Sequence, residues 1–280
     1  MARQGPRELP TNFVAEAFRG LVYPLEGLRF IRRHNLWALA MIPTIVNIAL
    51  FAILIVLTIY FAVPQLEALD AWMAPGEESG GFVTGVISAL SWLIWIVAII
   101  LVVVVDAILL LLLGQAIASP FLDLLSEKVE SLVLGGEPPK GSWTRNLRSI
   151  LVGLTDVIWT VLFFLLVNLP LALVSLTAIG SIPAAIASFC FTALLLSQEF
   201  VGLSLTRQLV SYPARFKVIW RNKWLSLGFG STSMLLLMVP ILNLLLLPIA
   251  AVGGTLLYCD LKAAGRINVP LQSTPDAPQG

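Results

Sequence analysis

Residues 225–259 read LSLGFGSTSMLLLMVPILNLLLLPIAAVGGTLLYC and contain no charged side chain. This stretch of about 35 residues is too short to cross a bilayer twice, because two crossings and a turn need roughly 42–45 residues. Pro240 and Pro248 lie near its middle, where they interrupt helical hydrogen bonds. The stretch therefore predicts a helical hairpin that enters the membrane and turns back inside it, with protein around the turn.

Three other long apolar blocks precede this stretch. They are 36–63, which has no charge, 82–122, which contains only Asp106, and 150–198, which contains only Asp156. The whole chain is 58% hydrophobic and 12% charged, and a soluble domain carries roughly twice that share of charge. Each block is long enough to be a membrane-spanning candidate. The composition and the blocks together predict an integral membrane protein.

Charges between the blocks predict the orientation. Basic residues precede the first block, separate the second from the third and the third from the fourth, and follow the fourth, whereas residues 64–81 carry only acidic charges. Lys and Arg are enriched on the cytoplasmic side, so we expect both termini in the cytoplasm. The first two blocks then cross once each, and the last two must return to the inner face. Whether 149–206 crosses fully or is re-entrant stays open.

The predicted fold is an all-α membrane protein with two long transmembrane helices and two helical hairpins that enter from the cytoplasmic side, the last one re-entrant. The predicted segments are an amphipathic cytoplasmic segment at 1–35, a single membrane domain at 36–262 and a disordered tail at 263–280. Within the membrane domain we expect span 1 at 36–63, span 2 with a cytoplasmic extension at 82–134, and hairpins at 149–206 and 225–259. An intramembrane turn needs surrounding protein, which favours a compact bundle or an oligomer.

The residue inventory argues against enzyme chemistry. The chain has one histidine and two cysteines, and both cysteines lie in apolar blocks. No catalytic triad, metal cluster or Gly-rich phosphate loop can be assembled from these residues. We therefore expect no catalytic activity, no cofactor and no nucleic-acid partner.

Three motifs point to a known family. The first is IPTIVN at 42–47, the second is PFLDLLSEKVE at 120–130, and the third runs from Pro240 through Asn243 and Pro248 to Asp260. In order and spacing they resemble the CysZ-type sulfate permeases, within the broader family that includes the eukaryotic etoposide-induced membrane proteins. The second is the most specific, because an acidic amphipathic run directly after a span is not generic membrane sequence. The resemblance implies two long transmembrane helices, two partly inserted hairpins, a homo-oligomer, a bacterial inner-membrane location and sulfate uptake for cysteine synthesis.

An oxyanion pathway needs positive charge and free backbone N–H groups, which a helix start beside arginine supplies. The best candidate is Gly27, Leu28 and Arg29, followed one turn later by Arg32 and Arg33. The resemblance supports this choice, since some family members bind sulfate at a Gly-Leu-Arg just before the first long helix. The alternative is that these arginines anchor the chain to the phosphates of membrane lipids.

Five acidic residues are candidates for the pathway or its gate. Asp106, Asp156 and Glu199 lie within or beside apolar blocks, where ionisable groups usually face a bundle interior. They could form a gate or proton-linked site, with Arg145 or Arg207 as partners, or serve only in structural pairing. Glu127 and Glu130 belong to the second motif and could pair with basic residues at the inner vestibule or form a solvated face.

Two functions follow from these observations. The first is inward transport of sulfate or a related oxyanion. The second is a non-transporting member of the family that acts as a membrane scaffold or a lipid-interacting protein.

Overall fold

The computed structural model describes residues 5–73, 81–135, 143–177, 179–208, 210–238 and 240–267. All regular secondary structure within these ranges is α-helical. The helices are α1 (Phe13–Arg33), α2 (Trp37–Met73), α3 (Gly81–Leu134), α4 (Trp143–Ser175), α5 (Ser181–Arg207), α6 (Tyr212–Arg221), α7 (Lys223–Leu237) and α8 (Pro240–Ala263). Predictions for residues 74–80, 136–142 and 268–280, including most of the predicted tail, lie outside the described residues.

The amino-terminal helix α1 is amphipathic, as predicted. The Asn12 side chain caps its start by accepting from the Val14 N–H at 3.0 Å. Its end is followed by Asn35, whose φ of 54° is left-handed and incompatible with a continuing helix. One face of α1 buries Tyr23 and Phe30, whereas Phe18 on the other face is 65% exposed.

The chain divides into two compact units, one made of Met1–Thr44 with Ser119–Gly280 and the other of Ile45–Ala118. The smaller unit contains α2 from Ile45 to its end and α3 from its start to Ala118. Its surface is covered by large apolar side chains, such as Trp92 at 73% and Val56 at 64% exposure. A water-exposed surface of this kind would be unstable in a soluble protein, so these helices are suited to contact with lipid.

The larger unit has a dense core in which α1 packs against α7 and α8, and α5 packs against α4, α7 and α8. Glycines allow the closest approaches. A Cβ on Gly20 would lie 2.9 Å from the Gly228 Cα, and a Cβ on Gly27 would lie 2.8 Å from the Gly253 N. Small residues let membrane helices approach until their backbones touch, so packing replaces the hydrophobic effect that water would supply.

Two helical hairpins are present, as the fold prediction states. In the first, α4 packs against α5, and Gly180 before α5 leaves no room for a Cβ beside Val174 and Thr177. In the second, α7 packs against α8. With 15 residues α7 is about 22 Å long, shorter than the hydrocarbon core of roughly 30 Å. One arm of this hairpin is therefore too short to cross.

Within the described ranges, five helices are long and apolar enough to cross a membrane by length and composition. The segment Leu246–Ala263 differs from the others because 83% of it is buried inside the protein, whereas Ala89–Leu110 has no buried share. Protein surrounds α8 in the way expected for a partly inserted hairpin.

Several helix bounds differ from the sequence prediction. Helix α2 continues past the predicted end of span 1 at residue 63, because Glu67 and Asp70 interrupt the apolar pattern without stopping a helix. Helix α6 was not predicted, since a search for long apolar blocks overlooks a helix of 10 residues with one polar face. Helix α6 carries Arg215, Lys217 and Arg221, whose contacts and exposure are described below.

Candidate functional site

Glu130, near the end of α3, joins three helices through ion pairs. Arg207 on α5 places Nη2 2.8 Å from the Glu130 Oε2, and Lys262 on α8 places Nζ 3.3 Å from Oε1. Arg207 also donates to the Asp123 carbonyl at 3.1 Å. We call Glu130, Arg207 and Lys262 the Glu130 cluster. One carboxylate faces two cations, so these three groups carry an excess of positive charge.

A chain of hydroxyl groups lies beside the Glu130 cluster between the same helices. The Ser126 Oγ is 2.7 Å from the Thr255 Oγ1 and 3.2 Å from the Ser204 Oγ. All three residues are fully buried. Interhelical hydroxyl bonds of this kind hold helices together where lipid surrounds the protein.

Asp123 lies one turn before Glu127 on the same part of α3. Burial raises the pKa of the Asp123 carboxyl to about 6, with Arg207 opposing the rise and the Glu127 charge adding to it. Its charge therefore changes just below neutral pH, while its backbone carbonyl accepts a hydrogen bond from the cluster's arginine.

Asp156 on α4 pairs with Arg215 on α6. Arg215 Nη2 lies 2.5 Å from the Asp156 Oδ1, and Arg215 Nη1 donates to the Thr206 Oγ1 at 2.6 Å. The sequence suggested Arg145 or Arg207 as partners, but Arg207 instead serves Glu130. The unpredicted helix α6 buries Arg215 to 4% exposure beside α4, which is why sequence reasoning missed this pair.

A second buried carboxylate, Asp260, was quoted in the third motif but was not predicted as a site residue. Its oxygens accept from the Tyr23 hydroxyl and the Arg7 backbone N–H, each at 2.7 Å. Arg19 reaches Glu26 at 2.9 Å and lies 3.9 Å from Asp260. These contacts tie the amino-terminal residues and α1 to the end of α8. One signal could have found Asp260, since residues 200–259 contain no acid and it ends that run.

The predicted anion site falls inside α1. Gly27 and Leu28 lie in a helix that begins at Phe13, so their backbone N–H groups are used in helical hydrogen bonds. The free N–H groups of a helix start are therefore not offered at Gly27, and this glycine instead allows close contact with α8. The side chains of Arg29, Arg32 and Arg33 are exposed. An anion at this position would be held by these side chains.

The remaining candidate acids do not gather at one site. In the smaller unit, Asp106 accepts from the Thr58 hydroxyl at 2.6 Å, which links α2 to α3. Glu199 is exposed on α5. Only Glu127 and Glu130 share a site, together with Asp123 and Arg207.

Comparison with known proteins gives matches along most of the chain. Residues 23–248 match the family described as sulfate transporter CysZ/etoposide-induced protein 2.4. A protein of Pseudomonas fluorescens named sulfate transporter CysZ is 31% identical over 91% of this chain and 98% of its own length. Proteins with the same name are 26% identical in Pseudomonas syringae pv. tomato, over 91% of this chain and 97% of theirs, and in Vibrio cholerae, over 85% and 92%. The chain is a multi-pass membrane protein and belongs to the sulfate transporter CysZ/etoposide-induced protein 2.4 family.

Proposed function

We propose that this protein carries sulfate or a related oxyanion across the bacterial inner membrane into the cytoplasm, where the sulfate supports assimilation and cysteine synthesis. The observation that carries the proposal is the family match over residues 23–248, with relatives named sulfate transporter CysZ aligned over nearly their full lengths. The charge pattern between the blocks supports a cytoplasmic location for both termini.

The arginines near the end of α1 support anion capture. Arg29 and Arg32 are exposed, and no carboxylate of the described residues lies within ion-pair distance of either one. Their spacing of three residues places them on one face of the helix. A divalent oxyanion would gain charge-assisted hydrogen bonds from both guanidinium groups. Glu16 and Glu26 on the same helix are occupied by Arg266 and Arg19, so they do not neutralise this face.

The Glu130 cluster supplies a gate in the same proposal. While Glu130 holds Arg207 and Lys262, its single carboxylate is the ion-pair partner of both cations. An arriving oxyanion can replace the Glu130 carboxylate as their partner, with Glu127 repelling anions until the exchange occurs. The remaining pathway candidates are Asp106, Asp156 and Glu199. The sulfate uptake assay described next would rank them by the effect of their replacement on flux.

The decisive experiment is uptake of radiolabelled sulfate by proteoliposomes that contain the purified full-length chain. We expect uptake above that of empty liposomes, reduced several-fold by Arg29→Ala and unchanged by Arg221→Ala, a matched exposed arginine on α6. Uptake equal to that of empty liposomes, with insertion verified by protease protection, would reject the transport proposal.

One observation favours the alternative of a non-transporting scaffold or lipid-interacting protein. The backbone N–H groups of Gly27 and Leu28 are used within α1 and offer no open anion-binding loop. If the protein bound lipid or a partner protein while sulfate flux stayed at background, this alternative would replace transport. Alkaline phosphatase and fluorescent protein fusions at the carboxyl terminus test the proposed topology. The mass of the detergent-solubilised particle tests the proposed homo-oligomer.

A further inference from the structure

Basic and aromatic side chains share one surface at the junction of α6 and α7. On α6, Lys217, Trp220 and Arg221 are exposed at spacings of three and four residues, which places them on one face. Helix α7 then begins with Lys223 and Trp224, both exposed. We call these five residues the corner surface.

The junction that carries the corner surface is held in place by buried polar contacts. Asn222, between the two helices, is only 4% exposed, and its Nδ2 donates to the Val218 carbonyl at 3.0 Å. The Ser226 hydroxyl donates to the Ile219 carbonyl at 3.3 Å. The opposite face of α6 is buried. The exposed groups are therefore presented in a fixed arrangement.

The tryptophans of the corner surface are supported by other rings yet remain accessible. Trp220 stacks on Phe216 with centroids 6.2 Å apart and is 53% exposed. Trp224 contacts Phe13 of α1 at 5.4 Å and is 39% exposed. Phe13 and Phe18 extend this apolar surface along α1 at 57% and 65% exposure. Exposed indole rings next to an apolar surface are typical of the membrane–water interface.

Among the described residues, no acidic side chain neutralises the charge of the corner surface. Residues 200–259 contain no acid. Within that run, Arg207 and Arg215 are neutralised by Glu130 and Asp156. In the part of the chain that the structure describes, no carboxylate lies within ion-pair distance of Lys217, Arg221 or Lys223. A ligand of the corner surface is therefore expected to be anionic.

We propose that the corner surface is a binding site for anionic phospholipid headgroups. The lipid phosphates accept hydrogen bonds from Lys217, Arg221 and Lys223, while Trp220 and Trp224 insert at the level of the acyl carbonyls. A free anion such as inorganic phosphate would use the three basic groups but would gain nothing from two exposed indole rings. The combination of charge with interfacial aromatic rings favours a lipid.

Native mass spectrometry of the full-length detergent-solubilised protein tests the proposal, with phosphatidylglycerol or phosphatidylcholine added in increasing amounts. We expect phosphatidylglycerol to bind preferentially. Because each basic residue contributes on the order of 1 kcal/mol toward an anionic surface, K217Q/R221Q/K223Q should weaken binding at least about tenfold. The matched control compares single lysines: K217Q should weaken binding about fivefold, whereas K128Q, at an exposed lysine on α3 outside the corner surface, should change binding less than about twofold.

A second measurement reports where the bound lipid lies relative to Trp220 and Trp224. Brominated acyl chains in either lipid should quench lipid-facing tryptophans such as Trp92, which is 73% exposed. Brominated phosphatidylglycerol should quench the wild-type protein more than brominated phosphatidylcholine does, and W220F/W224F should lose that excess. Three results would overturn the proposal: equal binding of phosphatidylcholine, equal loss of binding in K217Q and K128Q, or displacement of the bound lipid by millimolar inorganic phosphate. The first two indicate unspecific association, and the third indicates a site for a soluble anion.

Discussion

Replacing Arg215 by Met should destabilise the protein strongly through the carboxylate that it leaves behind. The Arg215 side chain is 5% exposed and the Asp156 side chain is 21% exposed, and their nearest atoms are 2.5 Å apart. Removing one member of a buried ion pair costs about 3–5 kcal/mol, because the remaining charge is desolvated without a partner. Since Asp156 keeps some exposure, we expect R215M to cost about 3 kcal/mol, including the lost bond to Thr206.

The double variant R215M/D156L separates the ion pair from simple packing. With both charges replaced by apolar groups, the desolvation cost disappears, and the double variant should be within about 1–2 kcal/mol of the wild type. The losses in free energy of unfolding caused by R215M and by D156L should together exceed the loss in the double variant by at least about 2 kcal/mol.

The assay is equilibrium unfolding of the purified protein in mixed micelles with increasing dodecyl sulfate, followed by far-UV circular dichroism. R221M is the matched control, because Arg221 is an exposed arginine on the same helix, and it should change the free energy of unfolding by less than about 0.5 kcal/mol. A coupling energy between Arg215 and Asp156 below about 0.5 kcal/mol would refute the claim that this pair is a buried, interdependent unit.

Three further predictions concern single side chains. Gly27→Ala should destabilise the fold by about 1–3 kcal/mol, because its Cβ would lie 2.5 Å from the Ile249 carbonyl oxygen; loss of sulfate binding with an unchanged melting temperature would contradict this packing role. Tyr23→Phe should cost about 1.5–3 kcal/mol by removing a donor from buried Asp260, against less than about 0.5 for Tyr60→Phe at an exposed tyrosine. Asp123→Asn should stabilise the protein by up to about 3 kcal/mol at pH 8 and change it little at pH 4.

The sign of the Asp123 effect follows from its raised pKa. A carboxyl group whose pKa is about 6 in the folded protein and 3.8 in the unfolded chain binds its proton more tightly when folded. The stabilising contribution is complete below pH 3.8 and is lost as the pH rises through 6. Chemical unfolding measured at both pH values checks this, and equal effects of Asp123→Asn at pH 4 and pH 8 would disprove it.

The helical architecture could be predicted from sequence because membrane helices obey length and charge rules that act locally. The apolar run of 225–259, with prolines near its middle, is readable without knowing its neighbours. The amphipathic α1 follows from its periodic pattern in the same way. These predictions need no knowledge of which helices touch.

Pairing of charged residues could not be predicted in the same way. Arg215 reaches Asp156 only because α6 folds against α4, and this ten-residue helix has no long apolar run to reveal it. Gly27 looked like part of an anion-binding loop, yet its lack of a side chain serves contact with α8. Both cases concern residues whose contacts are distant in sequence, and such contacts leave no periodic signal along the chain.

The contact between Tyr23 and Asp260 has a consequence for how the protein is made. Its two partners are separated by 237 positions, and the approach of Gly27 to Gly253 spans a similar interval. A ribosome must synthesise nearly the whole chain before α1 can meet α8, so the amino-terminal helix waits unpaired while the rest emerges. A nascent chain that stops before residue 246 lacks the centre of its core, which makes premature termination detectable by any quality-control protease that recognises an unpartnered membrane helix.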